Sequence, residues 1–377
     1  MNTQVRHVTI RRLLRRLPGK IQPTKFGLST VTKQPQPERK FARYFTHPNV
    51  TVTIVAGDSF SPMAPRTSRE VLIVRDAWYP LDPEQAVAGF LKANGRVSDR
   101  IYFLSNTEEM HAIRLGHGLN SHYVNIGCFV DESVFRPEPQ VVREFDAVMN
   151  ARFWKNGDGT ELKRHHLTGK IERLALLDPV FWSTDTSQRE KYAQRDNCRF
   201  INHKRLSPAQ VADVLRRTHV GLALSAREGV CRASSEYLLT GLPVVSTDSV
   251  GGRDVWYDDY NAIIVSPTEE DVLTAVRELK NVPRDARRIR NDYLTRAAVF
   301  RNRFRDDVLA SICATFQVDR DLDYIMRTWP FRWWPTPSIT SLAWWTSGLS
   351  MKAPRIFLKQ RVIAPLQRRW FVSQHRR

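Results

Sequence analysis

The 377-residue sequence predicts two α/β domains, each built on a mostly parallel β-sheet and facing the other across a cleft. Three observations carry this. Short β-branched runs alternate with stretches of helical spacing, the mark of parallel sheets covered by helices. The alternation breaks once, at a polar stretch over 131–143 bearing Pro137 and Pro139, and then restarts. The chain is also too long for one ordinary core and long enough for two.

The first domain is placed at 46–130. Strands are expected at 50–56 (VTVTIVA), 71–74 (VLIV), 101–104 and 122–126. Between the second and third, Ala86, Val87, Phe90 and Leu91 fall on one face of a helix over 83–93. Thr107 is set to cap a helix over 108–115, with Glu108 and Glu109 in its first turn, where the helix dipole favours acids. The second domain is placed at 144–318. Its strands are expected at 146–151, 174–178, 198–202, 219–224, 243–246 and 262–265. Helices are expected at about 165–173, 207–217, 231–240, 268–279 and about 284–316.

The ends differ from this body. Net charge is +19, and residues 1–44 hold eleven Lys or Arg against one acid, Glu38. Residues 351–377 hold eight Lys or Arg and no acid, which leaves the middle nearly neutral. Residues 1–45 read as a basic arm, partly disordered, with a short basic helix at 8–17. Residues 319–377 read as a tail in which Trp329, Trp333, Trp334, Trp344 and Trp345 crowd together ahead of the basic stretch. Basic tails seek polyanions, and Trp beside basic residues suits a membrane interface. The tail has two readings: attachment to an anionic membrane surface, or packing of the tryptophans back on the first domain. A neutral body without a nucleic-acid-binding module speaks against specific nucleic-acid recognition. No run approaches the roughly 20 apolar residues of a membrane span. Cys128, Cys198, Cys231 and Cys313 lie far apart with no CxxC pair, which argues against a zinc site or a disulfide framework and suits a reducing compartment. The expected location is cytoplasmic, with peripheral attachment at the cytoplasmic face of the membrane if the tails bind there.

The chemistry concentrates in 222–243, LALSAREGVCRASSEYLLTGLP. A strand is expected to end near Ser225, Gly229 permits a close turn, and a helix starts near Cys231. The free N–H groups and positive dipole of that helix start make an anion site suited to a diphosphate. Glu228 stands in the loop before it and Glu236 one to two turns into it. Gly241 and Pro243 close the helix.

Glu228-x7-Glu236, Gly241-Leu242-Pro243-Val244-Val245, Gly251-Gly252 and Asn261-Ala262-Ile263-Ile264-Val265 occur in this order. Val130-Asp131 and Phe135-Arg136-Pro137 precede them at the expected domain junction. This set resembles family 4 of the glycosyltransferases (glycosyl transferases group 1), of the GT-B fold with two Rossmann-like domains. The resemblance covers about 100–330 and fades before it.

The resemblance implies a role for each matching residue. Glu236 would accept hydrogen bonds from the ribose hydroxyls of a nucleotide-diphosphate sugar, a task that suits an acceptor-only carboxylate. Glu228 would contact the transferred sugar, and the backbone N–H groups of Gly229, Val230 and Cys231 would hold sugar and phosphate oxygens. The Cys231 side chain itself reads as a small buried residue. Arg152 would meet the diphosphate together with a lysine shortly after it. Lys155, Lys163 and Arg164 compete for that place, and Lys163 is the choice. Two such cations would do the work of a metal, so no metal or other cofactor is expected. Asp319, Asp321 and Asp323 have DxD spacing but follow the last long helix and read as solvated charge. The reaction that the resemblance implies is transfer with retention of configuration to a glycan or lipid-linked acceptor. His165 and His166 read as a solvated helix start with phosphate contact as the lesser alternative. His111, His117 and His122 have no motif behind them, and Asp76 follows a strand where it would face the acceptor. The rival readings are a nucleotide-sugar epimerase or phosphorylase on the same fold, a basic polyanion-binding protein, and a binding module without turnover.

Overall fold

The computed structural model describes residues 40–57, 64–76, 79–95, 97–153, 161–178 and 186–327. The basic helix expected at 8–17, Lys155 and the tryptophan-rich tail from Trp329 lie outside the described residues.

The first sheet has the order β1-β2-β3-β4-β5, made of Lys40–His47, Val50–Gly57, Glu70–Asp76, Ile101–Ser105 and Ser121–Tyr123. The first strand is a correction, because residues 40–45 read as part of the arm in the sequence. Their basic side chains mask the alternation, and what defines the strand is its antiparallel pairing with β2 across a tight turn at Pro48-Asn49. The other pairs are parallel. Both faces of the sheet are buried, which explains the continuous apolar runs. Leu72 and Val74 face α1 (Pro83–Asn94) and α2 (Glu108–Gly116), joining Val87, Phe90 and Met110 in one core. Val71 and Ile73 point the other way. Thr107 caps α2 as its sequence indicates, its side chain accepting from Met110 N at 3.1 Å.

The second sheet is all parallel, in the order β13-β11-β9-β6-β7-β8. Its strands are β6 (Phe145–Asn150), β7 (Leu174–Leu177), β8 (Cys198–Ile201), β9 (Thr218–Ala223), β11 (Val244–Thr247) and β13 (Ala262–Val265). The helices are α3 (Thr186–Ala193), α4 (Pro208–Arg216), α5 (Arg232–Thr240) and α6 (Glu269–Asn281). Ser207 and Gln210 form a reciprocal capping box at α4, with Pro208 in its first turn. Gly241 ends α5 in the left-handed region at φ 77°, which a residue with a Cβ adopts only at a cost. The chain moves from β6 outward through β7 and β8, then returns to the other side of β6 with β9. Order therefore reverses between β6 and β9. In open parallel sheets the crevice beyond the strand ends at such a reversal is where ligands bind.

The helix expected at 165–173 is only a short 3-10 turn, His165–Thr168, because Gly169 and the strand at Leu174 leave no room for more. The long helix expected at 284–316 runs as α7 (Ala286–Arg303), a π-helical segment Phe304–Leu309, and α8 (Ala310–Thr315). After it, α9 (Leu322–Arg327) closes the described chain. This run returns to the first sheet. Phe304 packs edge-on against Phe129 at 5.2 Å, and Phe300 against Tyr123 at 5.2 Å. Tyr44 Oη donates to Ile325 O at 2.8 Å, so β1 is held by the last helix. Among the described residues no helix is long and apolar enough to cross a membrane.

Candidate functional site

The carboxyl end of β6 is the centre of the site. Asn150 is buried there, and its backbone N–H donates to Tyr237 Oη at 2.7 Å, tying the strand end to α5. Its side-chain Nδ2 donates to Glu236 Oε2 at 2.7 Å. Glu236 is buried, and burial raises its carboxyl from the ordinary 4.5 to about 7, against the opposing pull of Arg232 and Asn150. Two residues on, Arg152 is held below its ordinary value by burial, while Asp178 and Glu228 pull it upward. Thus Asn150 meets one of the two glutamates singled out in the sequence, and the other contributes to the field at Arg152.

Glu228 stands on β10 (Arg227–Glu228), which pairs in parallel with β12 (Val250–Gly251). Ser225 Oγ donates to Glu228 Oε1 at 2.8 Å, and Lys163 Nζ bonds the same oxygen. Lys163 and Glu228 are both buried. The lysine chosen from the sequence is therefore brought to Glu228. The adjacent Arg164 sits at φ 55° and turns the other way, donating to Thr247 Oγ1 at 2.9 Å. Gly229, Val230 and Cys231 form the turn into α5. Cys231 is its first capping residue and makes no side-chain cap, and burial raises its thiol, as suits a small packed residue.

Two sequence expectations are corrected. His165 is not a solvated helix start: it is buried, stacked on Phe153 at 4.5 Å and against Tyr192 at 5.5 Å. Burial lowers its imidazole to about 4, so it is a neutral core residue at ordinary pH. Its neighbour His166 is exposed and pairs with Glu161. Asp76 is not an open carboxylate at a strand end. Arg114 grips it with two bonds of 2.6 and 3.0 Å, both side chains being buried, and Arg114 also donates to Ser105. Asp321 and Asp323 are exposed, as their reading as solvated charge requires; Asp321 caps the start of α9 and Asp323 lies near Arg305. Among the described residues no group of three or more His, Cys, Asp or Glu is placed to hold a metal ion.

Other residues at the site escaped sequence reasoning. Arg253 is fully buried and donates to Ala223 O at 2.8 Å, Ser225 O at 3.0 Å and Thr247 O, bracing the ends of β9 and β11. Asn125 Nδ2 donates to Gly252 O at 2.7 Å and Asn106 O at 3.2 Å, linking the end of the first sheet to the loop behind Glu228. A signal was available: β4 and β6 each bring an asparagine, Asn106 and Asn150, to their carboxyl ends, and Asn125 follows β5 closely.

Residues 186–293 match the sequence model of the family described as glycosyl transferases group 1. No curated protein matches the chain. Among solved structures, HepE of Anabaena in complex with UDP-glucose is similar at 15% identity over 66% of this chain and 72% of its own, with a TM-score of 0.45. A glycosyltransferase involved in avilamycin A biosynthesis is similar at 17% identity over 68% and 74%, with a TM-score of 0.45. Sucrose-phosphate synthase of Thermosynechococcus elongatus is similar at 13% identity over 70% and 67%, with a TM-score of 0.41. Likeness of this degree assigns neither substrate nor mechanism.

Proposed function

We propose that this chain, whose residues 186–293 match the glycosyl transferases group 1 model, moves a sugar from a nucleotide-diphosphate donor to a hydroxyl of a glycan or lipid-linked acceptor, with retention of configuration. The observation that carries the proposal is the pair of buried carboxylates around the start of α5, one bonded to Lys163 and the other held by Asn150.

Glu236 accepts from the ribose hydroxyls. The turn at Gly229, Val230 and Cys231 presents backbone N–H groups to the donor's sugar and phosphates, and the positive end of α5 adds to them. Glu228 accepts from the transferred sugar. Arg152 and Lys163 stabilise the negative charge that grows on the diphosphate as the glycosidic bond breaks. The acceptor oxygen forms its bond to the anomeric carbon on the face that the diphosphate leaves, and a phosphate oxygen takes its proton. With two side-chain cations at the leaving group, the proposal includes no metal. The basic tails attach the enzyme to an anionic membrane surface at the cytoplasmic face, where lipid-linked acceptors lie.

A thermal-unfolding screen against UDP-, GDP-, ADP- and dTDP-sugars tests the proposal, since a ligand that binds only the folded chain raises its melting temperature. One base is expected to stand out. Unchanged melting with all four at millimolar concentration would sink it.

The buried Glu236 adds a pH signature. Below about 7 its carboxyl is protonated in the unliganded protein and loses acceptor capacity toward the ribose. Donor affinity is expected to fall as pH drops through about 7, and the unliganded fold has the opposite trend, losing stability as pH rises from 4.5 to about 7. A nucleotide sugar is the right probe, because its diphosphate has no terminal phosphate to titrate. Glu236→Gln should bind weakly and without this pH dependence. A wild-type affinity that is flat between pH 6 and 8 would contradict the assignment of Glu236.

A further inference from the structure

Lys163 and Arg152 are the cations that would meet a diphosphate, yet Lys163 already bonds a carboxylate and Arg152 lies in the field of two. Lys163 Nζ bonds Glu228 Oε1, and each side chain is only 10% exposed. Ser225 Oγ donates to the same oxygen at 2.8 Å. Arg152 feels Glu228 as one of the two carboxylates that raise its basicity. The backbone of Glu228 is also fixed. Gly252 N donates to Glu228 O at 3.1 Å, and Gly251 lies opposite Glu228 in the β10–β12 ladder. A Cβ on Gly251 would lie 1.9 Å from Glu228 O, so nothing larger than glycine allows that approach.

We infer that Glu228 is an internal counter-ion, which occupies the charge of the diphosphate pocket until the sugar of an intact donor draws it away. This rests on the reading of the site as a nucleotide-sugar site. A bare nucleoside diphosphate carries more negative charge near neutral pH than its sugar ester, because its terminal phosphate is free to ionise. In a pocket of cations alone the bare product would therefore bind more tightly than the donor. Here the diphosphate has to take Lys163 from Glu228 and leave a buried carboxylate short of a partner, which is costly. An intact donor repairs that loss, since its sugar hydroxyls donate to Glu228. The bare product has no such hydroxyls to offer. Glu228 thus shifts the preference of the site from spent nucleotide toward donor and assists product release.

The test compares the full chain with Glu228→Gln, which keeps the shape and removes the charge. Calorimetric titration uses inorganic pyrophosphate first, because it needs no knowledge of the base. UDP, GDP, ADP and dTDP come next, each beside its glucose ester. Glu228→Gln is expected to bind pyrophosphate and the bare diphosphate of the preferred base about tenfold more tightly, about 1.4 kcal/mol. The glucose ester should gain nothing or lose affinity. Equal pyrophosphate affinity in the two proteins, or a parallel gain for diphosphate and glucose ester, would overturn the inference. If Glu228→Gln does not fold, Glu228→Asp draws the charge back by one methylene and is expected to give the same ordering with a smaller gain. A wild-type chain that binds no sugar ester sinks the parent reading. One that binds the ester while the variant fails to tighten on pyrophosphate sinks only the counter-ion.

Discussion

Lys163→Ala is expected to lower sugar transfer by about two to three orders of magnitude, the usual loss when one preorganised charge at a developing anion is removed. The reason lies in burial. Lys163 sits in a site from which water is largely excluded, where a charge stabilises a leaving diphosphate far more than it would in bulk solvent. The same substitution strips Glu228 of a partner. Ser225 remains bonded to it, and the cost to the fold is set at about 3–5 kcal/mol, the usual loss when one partner of a buried ion pair is removed. The two effects separate in the double variant Lys163→Ala/Glu228→Gln. Removing the uncompensated carboxylate should restore most of the melting temperature and none of the transfer. Recovery of transfer in the double variant would show that Lys163 serves only to neutralise Glu228, and the catalytic part of its assignment would fall.

Much of the fold could be read from periodicity. The β-branched runs at Val50–Gly57, Glu70–Asp76 and Val244–Thr247 are buried strands of mostly parallel sheets, whose apolar residues need no alternation. The Thr107 cap, with Glu108 and Glu109 in the turn after it, was visible because it satisfies local backbone groups. Lys40–His47 was not visible, because a strand defined by a partner across a turn needs no pattern of its own. Thr186–Ala193 was missed for a related reason: it is polar on nearly every face and is helical only in the context of the sheet it flanks.

The site divides in the same way. The two glutamates and the glycine turn could be named, because their spacing around a strand–helix junction is local, and Arg152 and Lys163 could be named through the family resemblance. The contacts between these residues could not. Asn150, which no reading of the sequence singled out, lies 86 residues from Glu236, and Lys163 lies 65 from the Glu228 it bonds. The error at His165 has the same origin. A histidine beside a lysine and an arginine looks solvated in one dimension, while the stack between Phe153 and Tyr192 that buries it is formed only by the fold. Asp76 likewise looks available in the sequence, and it is Arg114, 38 residues later, that closes on it.

Gly252→Ala bears on the contact that holds Glu228 in place, and its effect is expected to be large for a single methyl group. A Cβ there would lie 2.4 Å from Asn106 O, 2.7 Å from Gly229 O and 3.0 Å from Asn125 Nδ2. Two of these are backbone atoms that cannot swing aside, so the loop at 250–252 must move off the end of the first sheet. That movement breaks the Asn125 bond to Gly252 O and loosens the bond from Gly252 N to Glu228 O. Overpacking of this kind costs about 1–3 kcal/mol. Asn125→Ala removes the bond without the clash, together with its bonds to Asn106 O and from Gly127 N, and should cost about 1–3 kcal/mol. Activity separates the two variants further. If the contact sets the position of Glu228, transfer at saturating donor should fall well beyond the loss of stability in Gly252→Ala, and mildly in Asn125→Ala. Thermal unfolding and steady-state transfer on the same preparations measure both. If Gly252→Ala melts and turns over like the parent, the loop tolerates displacement. The placement of Glu228 would then have to come from Ser225 and Lys163 alone.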